Sequence, residues 1–119
     1  MPKKTILLIE DDEVLQGILE DFLVESGYLV LKASDGLEGI EMIDKEAFDL
    51  IITDVVLPYV SGIGVIKMAK AKRPEVPIIC VTGYGSSSEK LAEEEKADMV
   101  FSKPFEFKHL SEAIKNLLK

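Results

Sequence analysis

Five short runs rich in Ile, Val and Leu, each followed by a segment with helical spacing, constrain the fold of this chain more than any other feature. Runs without polar alternation suit strands covered on both faces, as in the parallel sheet of an α/β domain. Strands are expected at about 5–9, 28–33, 50–53, 77–81 and 98–102. Between the first two, Leu15, Ile18, Leu19, Phe22 and Leu23 form the apolar stripe of a helix that Gly27 stops. A second helix is expected over about 36–45 and a third over about 62–72. The third ends at Arg73-Pro74, because the residue before a proline avoids the helical region. A fourth, over about 88–96, has only Leu91 and Ala92 to hold it to a sheet. The last carries Leu110, Ala113, Ile114, Leu117 and Leu118 on one face.

A length of 119 residues suits one domain, residues 1–119, with a core that needs no disulfide. No linker, repeat or low-complexity segment signals a second one. With 47% hydrophobic and 30% charged residues the chain is neither disordered nor a membrane protein in composition. No apolar run approaches the roughly 20 residues that span a bilayer. Met-Pro-Lys-Lys leads straight into a strand rather than a signal peptide, so a cytoplasmic location without membrane insertion is expected. Cys80, within Ile78-Ile79-Cys80-Val81, reads as a small buried thiol. The net charge of −8 disfavours direct contact with nucleic acid and favours a protein or cation partner.

The chemistry lies where the apolar runs end. Glu10-Asp11-Asp12 follow the first run, Asp54 the third, Thr82 the fourth and Lys103 the fifth. In a parallel sheet these ends share one edge, and ligands bind there where the strand order reverses. If the strands run in the order 2-1-3-4-5, Glu10 and Asp11 come beside Asp54. Carboxylates so close raise one another's pKa, and a cation among them relieves the repulsion. An all-oxygen set without His or Cys suits Mg²⁺, which takes phosphate oxygens as further ligands. Asp54 can then attack a phosphoryl group to form an aspartyl phosphate, with Lys103 neutralising the phosphoryl oxygens and the Thr82 hydroxyl donating to them.

Each signal is weak alone. Acidic residues also favour a helix N-terminus, a loop lysine is ordinarily solvated, and Thr82 could be a turn hydroxyl before Gly83. Only the joint pattern points to chemistry. His109 carries no role, Phe101 and Phe105 read as core, and Lys67, Lys70, Lys72 and Arg73 as a solvated helical face. An aspartate-nucleophile phosphatase needs a second acid two positions after the nucleophile, where Val56 stands. A flavin-binding module needs a phosphate cradle where the acidic loop stands.

In order and spacing, ILLIEDDE, LIITDVVLPYVSG, IICVTGYG and FSKPF resemble the motifs of response-regulator receiver domains of two-component signalling, along the whole chain. The resemblance implies a flavodoxin-like, doubly wound five-stranded parallel sheet in the order 2-1-3-4-5, with five helices. It implies that Asp54 is the phosphoacceptor and that Asp11, Asp54 and the Val56 carbonyl bind Mg²⁺, with Glu10 helping through water. It further implies that Thr82 moves to the phosphoryl group, that Lys103 pairs with it, and that the Lys103–Pro104 bond is cis. The chain is then a signalling domain rather than an enzyme. It would take its phosphoryl group from a sensor histidine kinase or phosphotransfer protein and dock on a downstream effector, as a monomer or a phosphorylation-dependent dimer. A receiver-like module that binds partners without phosphorylation is the alternative. Val100 stands where the family often has an aromatic switch side chain, and Lys96-Ala97 where Gly-Ala often precedes the fifth strand.

Overall fold

The apolar runs form five parallel strands: β1 (Thr5–Ile9), β2 (Leu29–Ala33), β3 (Leu50–Asp54), β4 (Ile78–Thr82) and β5 (Met99–Ser102). Their order is β2-β1-β3-β4-β5, the flavodoxin-like order expected. The helices are α1 (Glu13–Glu25), α2 (Gly36–Lys45), α3 (Gly62–Lys72) and α4 (Phe107–Leu117). The computed structural model describes residues 3–83 and 97–119, so the helix expected over about 88–96 lies outside the described residues, which hold four of the five expected.

Every residue of β3 and β4 is buried, whereas the edge strands β2 and β5 are partly open. The side-chain period of two divides the core between the two faces of the sheet. Leu7, Ile9 and Ile51 face Ile43, Val65, Ile66 and Ala69 of α2 and α3. Ile6, Leu8, Leu50 and Ile52 face Leu19 and Leu23 of α1 and Leu110 and Ile114 of α4.

Two expectations need correction. Ile18 is 47% exposed and is not part of the α1 seam, which runs through Leu15, Leu19, Phe22 and Leu23. It lies about 100° around the helix from Leu19, outside the arc that the sheet covers. The basic end of α3 is tied down rather than merely solvated. Lys70 reaches Asp98 at 3.3 Å and Lys72 pairs with Asp44 of α2. Arg73 donates to the Glu46 carbonyl at 2.8 Å and lies over the Phe48 ring.

These contacts belong to a set at the amino edge of the sheet. Asp49 accepts the Thr5 N–H at 2.8 Å, and Asp98 accepts the Ile78 N–H at 2.7 Å as well as Lys70. An aspartate just before one strand thereby satisfies the first N–H of its neighbour.

Candidate functional site

At the carboxyl edge the register does the positioning. Ile9 pairs with Thr53, so Glu10 emerges beside Asp54, and Asp54 pairs with Val81. Asp12 caps α1, its Oδ1 accepting from the N–H groups of Val14 and Leu15, which turns the acidic run across the end of β3. Carboxylate oxygens of Glu10, Asp11 and Asp54 come within 4.8 Å of one another. Glu10 and Asp54 are buried, and Asp11 is exposed.

Asp54 is held at both oxygens. The Val56 N–H donates to Oδ1 at 3.1 Å, and the Lys103 ammonium donates to Oδ2 at 2.7 Å. The same ammonium reaches Glu10 Oε1 at 3.3 Å, while the Asp12 N–H donates to Glu10 Oε2 at 3.1 Å. Lys103 comes from the far side of the sheet, carried by its N–H bond to the Thr82 carbonyl at 2.7 Å and followed by a cis Lys103–Pro104 bond.

A cavity of about 260 Å³ opens above these groups, lined by Glu10, Asp11, Asp54, Val56 and Lys103, and also by Asp12 and Gly83. The sequence motifs alone assign no role to either of the last two. Their signal was adjacency alone, Asp12 extending the acid run and Gly83 following Thr82. Thr82 is buried at the end of β4 and is not among the lining residues. Val100 pairs with Cys80 and packs, half-buried, against the α2 and α3 side of the core, where a β-branched side chain has no ring to swing.

Burial pushes the Glu10 carboxyl up to about 7, with the Asp54 charge adding to it and the Asp12 N–H and Lys103 opposing. Burial works against the Lys103 ammonium, but hydrogen bonds and charge from Asp54 and Glu10 outweigh it and raise its pKa. Burial, helped by the Asp54 charge, pushes the Cys80 thiol up to about 12, so it is no nucleophile at neutral pH.

The Glu10 shift carries a stability consequence. The unfolded chain loses this proton near 4.5 and the folded chain near 7, so between these values the folded state holds more protons. Stability from this group is therefore complete below 4.5, falls as pH rises through the window, and is gone above about 7. An amide cannot ionise. Glu10→Gln is expected to match wild type near pH 4.5 and to exceed it at pH 8 by on the order of 3 kcal/mol, in urea unfolding with EDTA present. A stability gap that does not grow with pH counts against the assignment.

The donor set fits a hard divalent cation. It offers carboxylate oxygens from Glu10, Asp11 and Asp54, in a cavity with room for water. The three acids face a single lysine among the described residues that line the cavity, an excess of negative charge that a cation would offset.

Comparison with known proteins identifies the family. Residues 6–115 match the family described as response regulator receiver domain. The alkaline phosphatase synthesis transcriptional regulatory protein PhoP of Bacillus subtilis is 35% identical over 98% of this chain and 49% of its own length. The chain thus spans about half the length of the first curated relatives it matches. A CheY-like response regulator receiver domain protein from Methanospirillum hungatei JF-1 superposes with a TM-score of 0.93 at 32% identity, covering 98% of this chain and 94% of that one. The receiver domain of the sensor histidine kinase PA1611 from Pseudomonas aeruginosa PAO1, solved with a magnesium ion coordinated in its active site cleft, superposes with a TM-score of 0.91 at 25% identity, covering 98% of each chain.

Proposed function

Since this chain belongs to the response regulator receiver domain family of two-component signalling, we propose that it is a switch in which Asp54 accepts a phosphoryl group in a Mg²⁺-dependent reaction. The donor is a phosphohistidine on a sensor histidine kinase or phosphotransfer protein. One observation carries the reading: the buried Asp54 carboxylate is held at one oxygen by the Val56 N–H and at the other by Lys103, beside two further acids at the mouth of a cavity. That is a nucleophile held in place next to groups able to manage phosphoryl charge.

In the proposed step an Asp54 oxygen forms a P–O bond as the P–N bond of phosphohistidine breaks, and the electron pair leaves with the imidazole nitrogen. Asp11, Asp54 and the Val56 carbonyl would hold Mg²⁺, with Glu10 acting through water. Bound there, Mg²⁺ supplies charge neutralisation for the phosphoryl oxygens. Lys103 exchanges its Asp54 partner for a phosphoryl oxygen, and the Thr82 hydroxyl donates to another after moving toward the site. The added charge of almost two units would shift a two-state equilibrium and change the docking of an effector. The domain assists its own phosphorylation and dephosphorylation and is otherwise no enzyme. The B. subtilis relative is a transcriptional regulatory protein, which supports gene expression as one output of such a switch. This chain, with net charge −8, is proposed to reach its output through protein contacts.

Incubation with Mg²⁺ and acetyl phosphate tests the reading, with intact mass as the measure. A phosphoryl gain that EDTA prevents is expected; no gain would leave a module that binds partners without phosphorylation, and a gain indifferent to EDTA would remove the Mg²⁺ requirement. Val56 offers no carboxylate or amide to orient an attacking water, so the phosphoryl group should outlast that of a Val56→Asn protein. Equal lifetimes would remove this role for position 56.

A further inference from the structure

We propose that Gln16 is a positioning residue of the acidic site, holding the Glu10-Asp11-Asp12 loop in the shape that lets three carboxylates share one cation. The proposal rests on the reading of that site as a Mg²⁺ centre. The Gln16 Nε2 donates to the Glu10 carbonyl at 3.0 Å and to the Ala33 carbonyl at 3.1 Å. Its backbone N–H donates to the Asp12 carbonyl at 2.8 Å. Both ends of the tripeptide are thus fastened to one residue of α1.

The Ala33 carbonyl, at the end of β2, also accepts the Glu10 N–H at 3.0 Å. The last residue of β2, the exit of β1 and the first turns of α1 therefore converge on one side-chain amide. That amide carries two N–H donors and both are in use, and two carbonyl partners fix its orientation with nitrogen inward.

Asp11 lies between the fastened residues and is exposed, so the direction of its carboxylate follows from the backbone on either side. Repulsion among Glu10, Asp11 and Asp54, with oxygens within 4.8 Å, pushes the loop away from β3, and Gln16 opposes that push. A neutral donor does so without adding a positive charge that would compete with the cation. Groups that orient metal ligands in this way typically change affinity by about tenfold or more when removed.

Two variants of the whole chain test the assignment. Gln16→Met keeps length and helix propensity and removes both donors. Gln16→Glu also keeps the shape, but an ionised carboxylate cannot donate to either carbonyl, and its charge by itself would tighten cation binding. Mg²⁺ affinity is read by isothermal titration calorimetry and the thermal midpoint is read in EDTA. We expect Gln16→Met to weaken Mg²⁺ binding about tenfold, with the midpoint in EDTA lowered by a few degrees through the two lost hydrogen bonds, and Gln16→Glu to weaken Mg²⁺ binding as well despite the added charge. A Gln16→Met affinity within about twofold of wild type, a range that a few tenths of a kcal/mol covers, would overturn the proposal, whatever the midpoint does. Tighter binding by Gln16→Glu would do the same. Wild-type protein that binds no Mg²⁺ would overturn the metal-site reading and this inference together, whereas normal wild-type binding with unchanged variants removes only the role of Gln16.

Discussion

Asp54→Asn protein is expected to fold, yet to gain no phosphoryl group from acetyl phosphate and Mg²⁺. The amide matches the carboxylate in shape, and its oxygen can still accept the Val56 N–H that Asp54 Oδ1 accepts at 3.1 Å. What it lacks is an anionic oxygen able to attack phosphorus. Two effects of opposite sign act on stability. Lys103 loses its 2.7 Å anionic partner, while Glu10 at 3.3 Å remains and is relieved of a neighbouring negative charge. A net change below about 2 kcal/mol is expected, because a charge-assisted bond is worth roughly that much and the relief offsets part of it. Intact mass reads the first outcome and urea unfolding the second. A phosphoryl gain equal to wild type would place the acceptor elsewhere.

Gly62→Ala is expected to damage fold and site together. Gly62 opens α3, donating its N–H to the Val55 carbonyl at 2.8 Å, so the loop from β3 closes tightly upon it. A Cβ there would lie 1.9 Å from the Asp54 carbonyl oxygen and 2.6 Å from Val55 Cα. Those obstacles are backbone and cannot rotate aside, so the start of α3 must move away from β3. Overpacking a core usually costs about 1–3 kcal/mol; with backbone as the obstacle, about 4 kcal/mol is expected here. The movement also displaces Asp54 and Val56, so Mg²⁺ binding should weaken in the fraction that still folds. Wild-type stability in urea unfolding would show that the loop yields more easily than this geometry implies.

Much of the fold was legible because it rests on patterns repeated along the chain. The run Leu50-Ile51-Ile52 reads as a buried strand, and the helices expected over about 36–45 and 62–72 end where Gly36–Lys45 and Gly62–Lys72 do. The gathering of Glu10, Asp11, Asp54 and Lys103 followed from strand ends sharing one edge. Other features depend on three-dimensional neighbours that periodicity does not encode. Ile18 looks like Leu19 in a sequence, and only the width of the covered arc separates them. The pairing of Lys70 with Asp98 and of Lys72 with Asp44 joins residues 28 positions apart. Gln16 carries no motif, since its significance lies in two carbonyls, one of them from another strand.

The amino edge of the sheet is where the described residues brace the domain. Asp49 and Asp98 lash neighbouring strands together where they begin, and Lys70, Lys72 and Arg73 lash the foot of α3 to the same footing. The strands run from that footing to the acidic cavity at their tips. In the proposed switch, a charge added at the tips would act at the end of the sheet opposite to these ties. A switch built this way would change its outline at one end while its bracing lies at the other.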